Sequence, residues 1–269
     1  MALCRRVLTV LAGVSAAFSA GGASAADLPE VKQRGVLRVL RMDVRADDEF
    51  FPPPRPGHPG FDREVLDGFA SLQRVRIEPV TVSSWDALIP ALLEGRGDVV
   101  AGRFTVTEAR QRQVAFTAEV FPTRNVVLTR RPTRAVHTVA ELRVEKVGTI
   151  RGTSMAEAVA AAGVPRDNVV DTITTGRLPE ALKSGAVTAV VLGVENAITA
   201  QRDDPAMQLG VFLGPPRSLA YAVRKGDVAL LAALNEYIEN LRRTPTWSRL
   251  VVKYFGESAP EILKKARPE

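Results

Sequence analysis

From residue 35 to residue 201 the chain alternates short apolar strands with amphipathic helices, in two successive runs, and that alternation leaves few folds open. In the first run Gly35-Val36-Leu37-Arg38-Val39-Leu40 reads as a strand. Val65, Leu66, Phe69 and Leu72 then recur at helical spacing behind Gly60-Phe61-Asp62, and Val75, Ile77, Val80 and Val82 give a second strand. Trp85, Leu88, Ile89 and Leu92 share one side of a further helix that ends at Gly95 and Gly97, with Pro90 tolerated only near a kink or the first turns. A strand at 98–102 closes the run. The second run places strands at 126–129, 146–150, 168–173 and 188–192, with helices at 154–162, 178–184 and 194–201 between and after them. Such alternation predicts an α/β fold built on parallel sheet. One more strand at 218–224 and helices at 228–242 and 247–254 complete the chain; Leu230, Leu231, Leu234, Tyr237, Ile238 and Leu241 make a broad apolar face for packing on a sheet.

Ahead of these runs, Arg5 and Arg6, an apolar run over 7–18 and the small-residue site Ala23-Ser24-Ala25 read as a signal peptide spanning residues 1–25. The apolar run is short of the ~20 residues a membrane helix needs, so the mature protein is expected to be soluble and exported. Its single cysteine, Cys4, falls inside that leader, which leaves no thiol for a disulfide or a thiolate metal site, as suits an oxidising compartment. His58 and His137 are the only histidines and stand in no metal-pair spacing, so neither a metal nor another cofactor is expected. The formal charge of +6 is scattered among acidic residues and aromatics are 6% of the chain, which argues against a nucleic-acid surface. With 46% hydrophobic residues the chain can fill one large domain or two ordinary ones.

Two turns carry candidate binding chemistry. In Thr105-Val106-Thr107-Glu108-Ala109-Arg110 a strand end passes into a helix with Thr107 as N-cap. The free N–H groups of that helix start, the Thr105 hydroxyl and the Arg110 guanidinium would together form a socket for a carboxylate. A capped helix with a solvated arginine accounts for the same spacing. Arg151-Gly152-Thr153-Ser154 is a second strand-to-helix turn with anion-friendly amides, although a glycine there is also explained by the turn itself. Between the first strand and the Gly60 helix lies a polar, proline-rich loop over 43–59 in which Phe50 and Phe51 either pin the loop or line a cleft.

Taken in order, Gly60-Phe61-Asp62-x-Glu64, Trp85-Asp86-x-Leu88-Ile89-Pro90-Ala91-Leu92, Gly97-Asp98-Val99-Val100-Ala101-Gly102, Thr105-x-Thr107-x-x-Arg110, Val147-Gly148 leading to Gly152-Thr153, and Tyr254-Phe255-Gly256 resemble the family 3 extracellular solute-binding proteins, the periplasmic amino-acid-binding proteins of ABC importers. The resemblance spans nearly the whole mature chain. It implies a two-lobed type 2 periplasmic binding fold with two crossing hinge strands, near 121–130 and 214–224. Residues 27–125 plus 219–269 would form one lobe and residues 126–218 the other. It further implies a monomer in the periplasm that hands a small carboxylate-bearing ligand to an ABC permease in the inner membrane, with no chemistry of its own. The ligand-binding set it implies centres on Arg110 and Thr105 for the carboxylate and Ser154 from the second lobe; Thr153, Trp85 and Arg103 are further candidates for the ligand site in this sequence. Asp47-x-x-Phe50-x-Pro52 has the spacing of the aromatic that stacks on the ligand in this family, which assigns that role to Phe50.

The sequence departs from the family at two places. In Val187-Thr188-Ala189-Val190-Val191-Leu192-Gly193 the aspartate that holds a ligand ammonium is replaced by Gly193, and Arg103 stands where the family carries a small or apolar residue, so the cleft is expected to be more electropositive than that of a neutral amino-acid binder. Glu195 restores the charge only if its loop bends inward; the expected state is exposed. A cleft without that carboxylate predicts an anionic ligand, such as an N-blocked or peptide-linked amino acid or a small organic acid, because an unpaired buried ammonium costs ~2–5 kcal/mol. Two further readings share the fold. The spacing Ala101-Gly102-Arg103-Phe104-Thr105-Val106-Thr107 also resembles the regulatory domain of F-type lytic murein transglycosylases, which implies a sensor or wall-peptide-binding role. A cyclohexadienyl-type dehydratase would need a carboxylate in the cleft, and Glu195 is the candidate.

Overall fold

The computed structural model describes residues 27–269 except 45–47, 55, 258, 260–262, 265, 266, 268 and 269. The leader expected over 1–25 lies outside the described residues, as does Asp47. The elements run α1 (Leu28–Arg34), β1 (Val36–Met42), α2 (Phe61–Gln73), β2 (Arg76–Val82), a 3-10 turn Trp85–Ala87 into α3 (Leu88–Leu93), β3 (Val99–Val100), α4 (Glu108–Gln111) and β4 (Ala115–Phe116). They continue as β5 (Phe121–Arg130), α5 (Val139–Leu142), β6 (Val147–Gly148), α6 (Ser154–Ala161), β7 (Val169–Val170), α7 (Leu178–Lys183), β8 (Ala189–Gly193), α8 (Val194–Asp203), β9 (Met207–Leu219), β10 (Ala222–Val223), α9 (Val228–Arg242) and α10 (Pro245–Phe255). Pro90 falls in the first turn of α3, where its missing N–H has no intrahelical partner to lose.

Among the described residues the strands form two five-stranded sheets, ordered β2-β1-β3-β10-β4 and β7-β6-β8-β5-β9. Each has the expected parallel core, β1 with β2 and β3 in the first and β6 with β7 and β8 in the second. Both sheets are mixed, however. β10 runs antiparallel to β3 and β4, and β5 runs antiparallel to β8 and β9. The crossing expected near 214–224 begins earlier: β9 is a 13-residue strand whose Gly210, Gly214, Pro215 and Pro216 hide its period, and it pairs with β5 from Phe121↔Leu219 to Arg130↔Met207. β5 and β9 thus run side by side out of the first sheet's neighbourhood, where Thr105 bridges Leu219, into the second.

The closing helices return to the first sheet. Leu230, Leu234 and Ile238 of α9 and Tyr254 and Phe255 of α10 are buried in one core with Phe61, Val65, Leu66 and Phe69 of α2. One face of the second sheet has a separate core, in which Val127, Val147, Ala189 and Val191 are each fully buried among residues of α5 and α6, while Val126, Leu128, Val190 and Leu192 on its other face belong to the larger core. This places the C-terminal ends of β3 and β8, and the turns that follow them, on facing sides of a cleft between the two sheets, the usual place for a ligand in open α/β sheets.

Candidate functional site

Arg110 stands in the first turns of α4, whose start is fixed by Thr107: the threonine side chain accepts the Arg110 amide at 3.4 Å. The residue is 7% exposed, and its guanidinium lies 4.1 Å over the Phe104 ring. One terminal nitrogen donates to the Thr105 carbonyl at 2.8 Å and the other to the Gly152 carbonyl, from the second sheet's half, at 3.0 Å. Both acceptors are neutral. Burial lowers this group to about 10, opposed by the more distant carboxylates of Glu157 and Asp86, so it remains a cation at neutral pH inside a desolvated pocket. A ligand carboxylate would supply the countercharge that the fold does not place against it.

The opposite wall starts at Gly152, whose φ of 75° only glycine adopts without strain and whose missing Cβ makes room for the Asp86 carboxylate. Thr153 caps α6: its hydroxyl accepts the Ala156 amide at 3.3 Å and donates to the Ile150 carbonyl at 2.6 Å, so the fold already uses it. Ser154 is 3% exposed and donates to Thr105 Oγ1 at 3.2 Å, while its carbonyl accepts from Asn125 at 3.1 Å. These bonds, with Arg110 to Gly152, tie the two walls together around a cavity of about 30 Å³. Arg110, Thr105, Arg103, Thr153, Ser154, Trp85 and Glu195 all line it, together with Thr123, Asn125, Met155 and Asn196.

Two expectations for this cavity are corrected. Glu195 is not exposed: it is 5% exposed, with Oε2 accepting the Thr123 hydroxyl at 2.6 Å and Oε1 accepting Asn196 Nδ2 at 3.3 Å. The helix α8 begins directly at Val194, which turns its second residue inward over Gly193. The cavity therefore contains a buried carboxyl group despite the glycine at 193. Arg103 does not make the cleft electropositive either, because its guanidinium pairs with Asp48 at 2.6 Å and donates to Asn196 at 2.9 Å.

Phe50 is also corrected. Instead of lying over a ligand it is 1% exposed in a core of rings, 5.8 Å from Phe61, 5.6 Å from Phe121 and 5.0 Å from Phe255. The loop is pinned, as Phe51 is too at 2% exposed. Burial of so large an apolar ring outweighs any use at the cleft edge. Trp85 does reach the cleft, with its buried Nε1 lacking a partner among the described residues. It lines, with Arg103, Met155 and Asn196, a second and larger cavity of about 410 Å³ whose wall includes Ile150, Leu178, Leu192 and Phe255. One buried residue supports the site from behind without lining either cavity, and the sequence reading gave it no role. Asp62, at the start of α2, accepts the amides of Gly102 at 2.9 Å and Arg103 at 3.2 Å and the Tyr221 hydroxyl at 3.0 Å, which holds Arg103 at a φ of 64°. Burial pushes its carboxyl up to about 6 against those hydrogen bonds. The Gly-Phe-Asp motif was the available signal.

Residues 50–257 match the family of bacterial extracellular solute-binding proteins, family 3, and the chain belongs to that family. A probable histidine-binding protein of Neisseria gonorrhoeae is 25% identical over 211 residues, 76% of this chain and 78% of that protein. A membrane-bound lytic murein transglycosylase F of Desulfosudis oleivorans is 26% identical over 260 residues, 93% of this chain but 56% of that protein, so the chain spans about half the length of that relative. Among solved structures, a mutant of ArgBP from T. maritima matches with a TM-score of 0.76 at 27% identity, covering 86% of this chain and 99% of that one. An ancestral amino acid-binding protein, described as a precursor of cyclohexadienyl dehydratase, matches with a TM-score of 0.75 at 25% identity, covering 85% of this chain and 99% of the other. The fold is accordingly the two-lobed type 2 periplasmic binding fold. Among the described residues no helix is long and apolar enough to cross a membrane, and no group of His, Cys, Asp and Glu could hold a metal ion.

Proposed function

We propose that this protein captures a small carboxylate-bearing ligand, an amino acid, a derivative of one or an organic acid, between its two lobes and delivers it to an ABC permease in the inner membrane. The observation that carries this reading is Arg110, a buried guanidinium bonded only to backbone carbonyls at the wall of a cavity between the two sheets. Residues 27–125 with 219–269 form one lobe in this account and residues 126–218 the other, with β5 and β9 as the crossing strands. Ligand binding replaces the present contacts across the cleft and selects the closed arrangement; no covalent step is involved. The protein acts as a monomer in the periplasm after its leader is removed.

A second reading, binding of wall peptides without hydrolysis, draws support from the transglycosylase relative, which aligns with 93% of this chain, and from the 410 Å³ cavity beside the inner one. Mass spectrometry of the compound that co-purifies with the protein separates the two. A free amino acid or small acid supports transport, and a peptide bearing wall-specific residues supports the alternative. For the shared claim, Arg110→Ala is expected to weaken binding of that compound by at least ~100-fold, the scale for removing one partner of a buried charge pair. Retained affinity in titration calorimetry would move the site elsewhere.

A further inference from the structure

Among the described residues, two other than glycine take a positive φ, Arg74 and Arg103. Arg74, at 58°, ends α2, an ordinary use of that conformation. Arg103, at 64°, ends no helix, and strain that a fold retains at one position calls for a use of the side chain placed there. Its own half orients the guanidinium. Asp48 pairs with it at 2.6 Å, and that carboxylate is fixed in turn by accepting the amides of Phe50 and Phe51, each at 2.9 Å. The Phe50 ring lies 5.8 Å from the guanidinium carbon. From this position Arg103 Nη1 donates to Asn196 Oδ1 at 2.9 Å, on α8 of the other half. Asn196 donates onward to Glu195, which accepts from Thr123, so the bond is continued to the crossing strand β5. Arg103 and Asn196 both line the inner and the larger cavity, which puts their bond at the boundary between the two.

We propose that Arg103 is a positioning residue for lobe closure: preset by Asp48 and Asp62, it bonds Asn196 across the cleft and holds the lobes together without drawing on the ligand. From the proposed function the inference takes only the division into two lobes. The contacts across the cleft that a ligand replaces are those of the Arg110 socket, from Arg110 to Gly152 and from Ser154 to Thr105. Glu49 and Arg202 also meet across it, but at 3.7 Å and with the Arg202 side chain 50% exposed, and so long and wet a pair contributes little. Arg103 to Asn196 is a short, charge-assisted bond that a ligand at Arg110 leaves in place. Because the guanidinium is ordered before the lobes meet, forming the bond costs little side-chain entropy. A latch of this kind favours the closed arrangement by itself and so tightens the hold on any compound that fits the socket.

The test is double electron–electron resonance on protein refolded from denaturant to strip bound compounds. Spin labels go on Leu72→Cys in one lobe and Val144→Cys in the other, both exposed, in a Cys4→Ser background that removes the only native thiol. Arg103→Gly removes the guanidinium and suits a backbone at positive φ, and Asn196→Ala removes the acceptor. Each is expected to lower the ratio of closed to open molecules about tenfold, the scale of one hydrogen bond to a charged group. The double variant is expected to stay within about twofold of the lower single variant, because both changes remove the same bond. Thermal midpoints are expected to stay within ~3 °C of wild type, which separates loss of the latch from damage to the fold. Asn196→Ala alone decides the matter where Arg103→Gly does not fold. Distances shared by wild type and the single variants overturn the latch, as does a wild type wholly in the open arrangement. A double variant whose effect equals the product of the two singles overturns it too. None of these variants alters Arg110, so calorimetry on Arg110→Ala judges the proposed function separately.

Discussion

The two walls of the inner cavity are built in opposite ways. At the Arg110 wall one contiguous stretch does everything: Thr107 starts the helix, Arg110 follows within a turn, and the guanidinium comes back to the Thr105 carbonyl five residues earlier. At the Glu195 wall the charged group does not stand where strand spacing would put it; it comes from the following helix and lies over a glycine. The first wall depends on local geometry, which spacing encodes. The second depends on filled volume, which spacing does not encode.

The comparison can be sharpened one wall at a time. The larger effect is expected at the locally built wall, where Arg110→Lys keeps the charge and loses the planar fork. Affinity should fall roughly 10- to 100-fold, because a lysine cannot keep two parallel hydrogen bonds to one carboxylate. A change below about twofold in calorimetry would mean that only the charge matters there.

A smaller effect should separate the walls by pH. Burial raises the Glu195 carboxyl, with the Thr123 hydrogen bond and Arg103 opposing and Asp48 adding to the rise. Below that raised range the group is neutral, and a ligand cation must displace its proton. Affinity for a free amino acid should therefore fall as the pH is lowered through the range, by at most about tenfold per unit for one proton. Arg110, lowered by burial only to about 10, stays charged throughout and adds no slope. Glu195→Gln should flatten the profile, and an equal slope in that variant would assign the dependence to another group.

Much of the fold was legible because amphipathic periods survive in single elements. The helix expected over 228–242 is found as α9 (Val228–Arg242), with Leu230, Leu234 and Ile238 on its buried face. The order of motifs around Arg110 gave the two-lobed fold. The first half of β9, residues 207–213, lies ahead of the crossing expected near 214–224; Gly210 interrupts its alternation and its pairing with β5 is set by tertiary position. Phe50 misled because an aromatic at family spacing can satisfy the core as well as a ligand, and here three rings take it. Asp62 and Glu195 were hard to place for a common reason: each is a helix-borne acid, a residue type that is normally solvated, and only the packed structure shows what surrounds it.

The most direct measurement is a crystal structure of the protein with the amino acid that binds it most tightly. The account predicts the ligand carboxylate forked on the Arg110 guanidinium, in the cavity between the two sheets. A ligand seated only in the larger cavity, with the Arg110 nitrogens still on the carbonyls of Thr105 and Gly152, would contradict it.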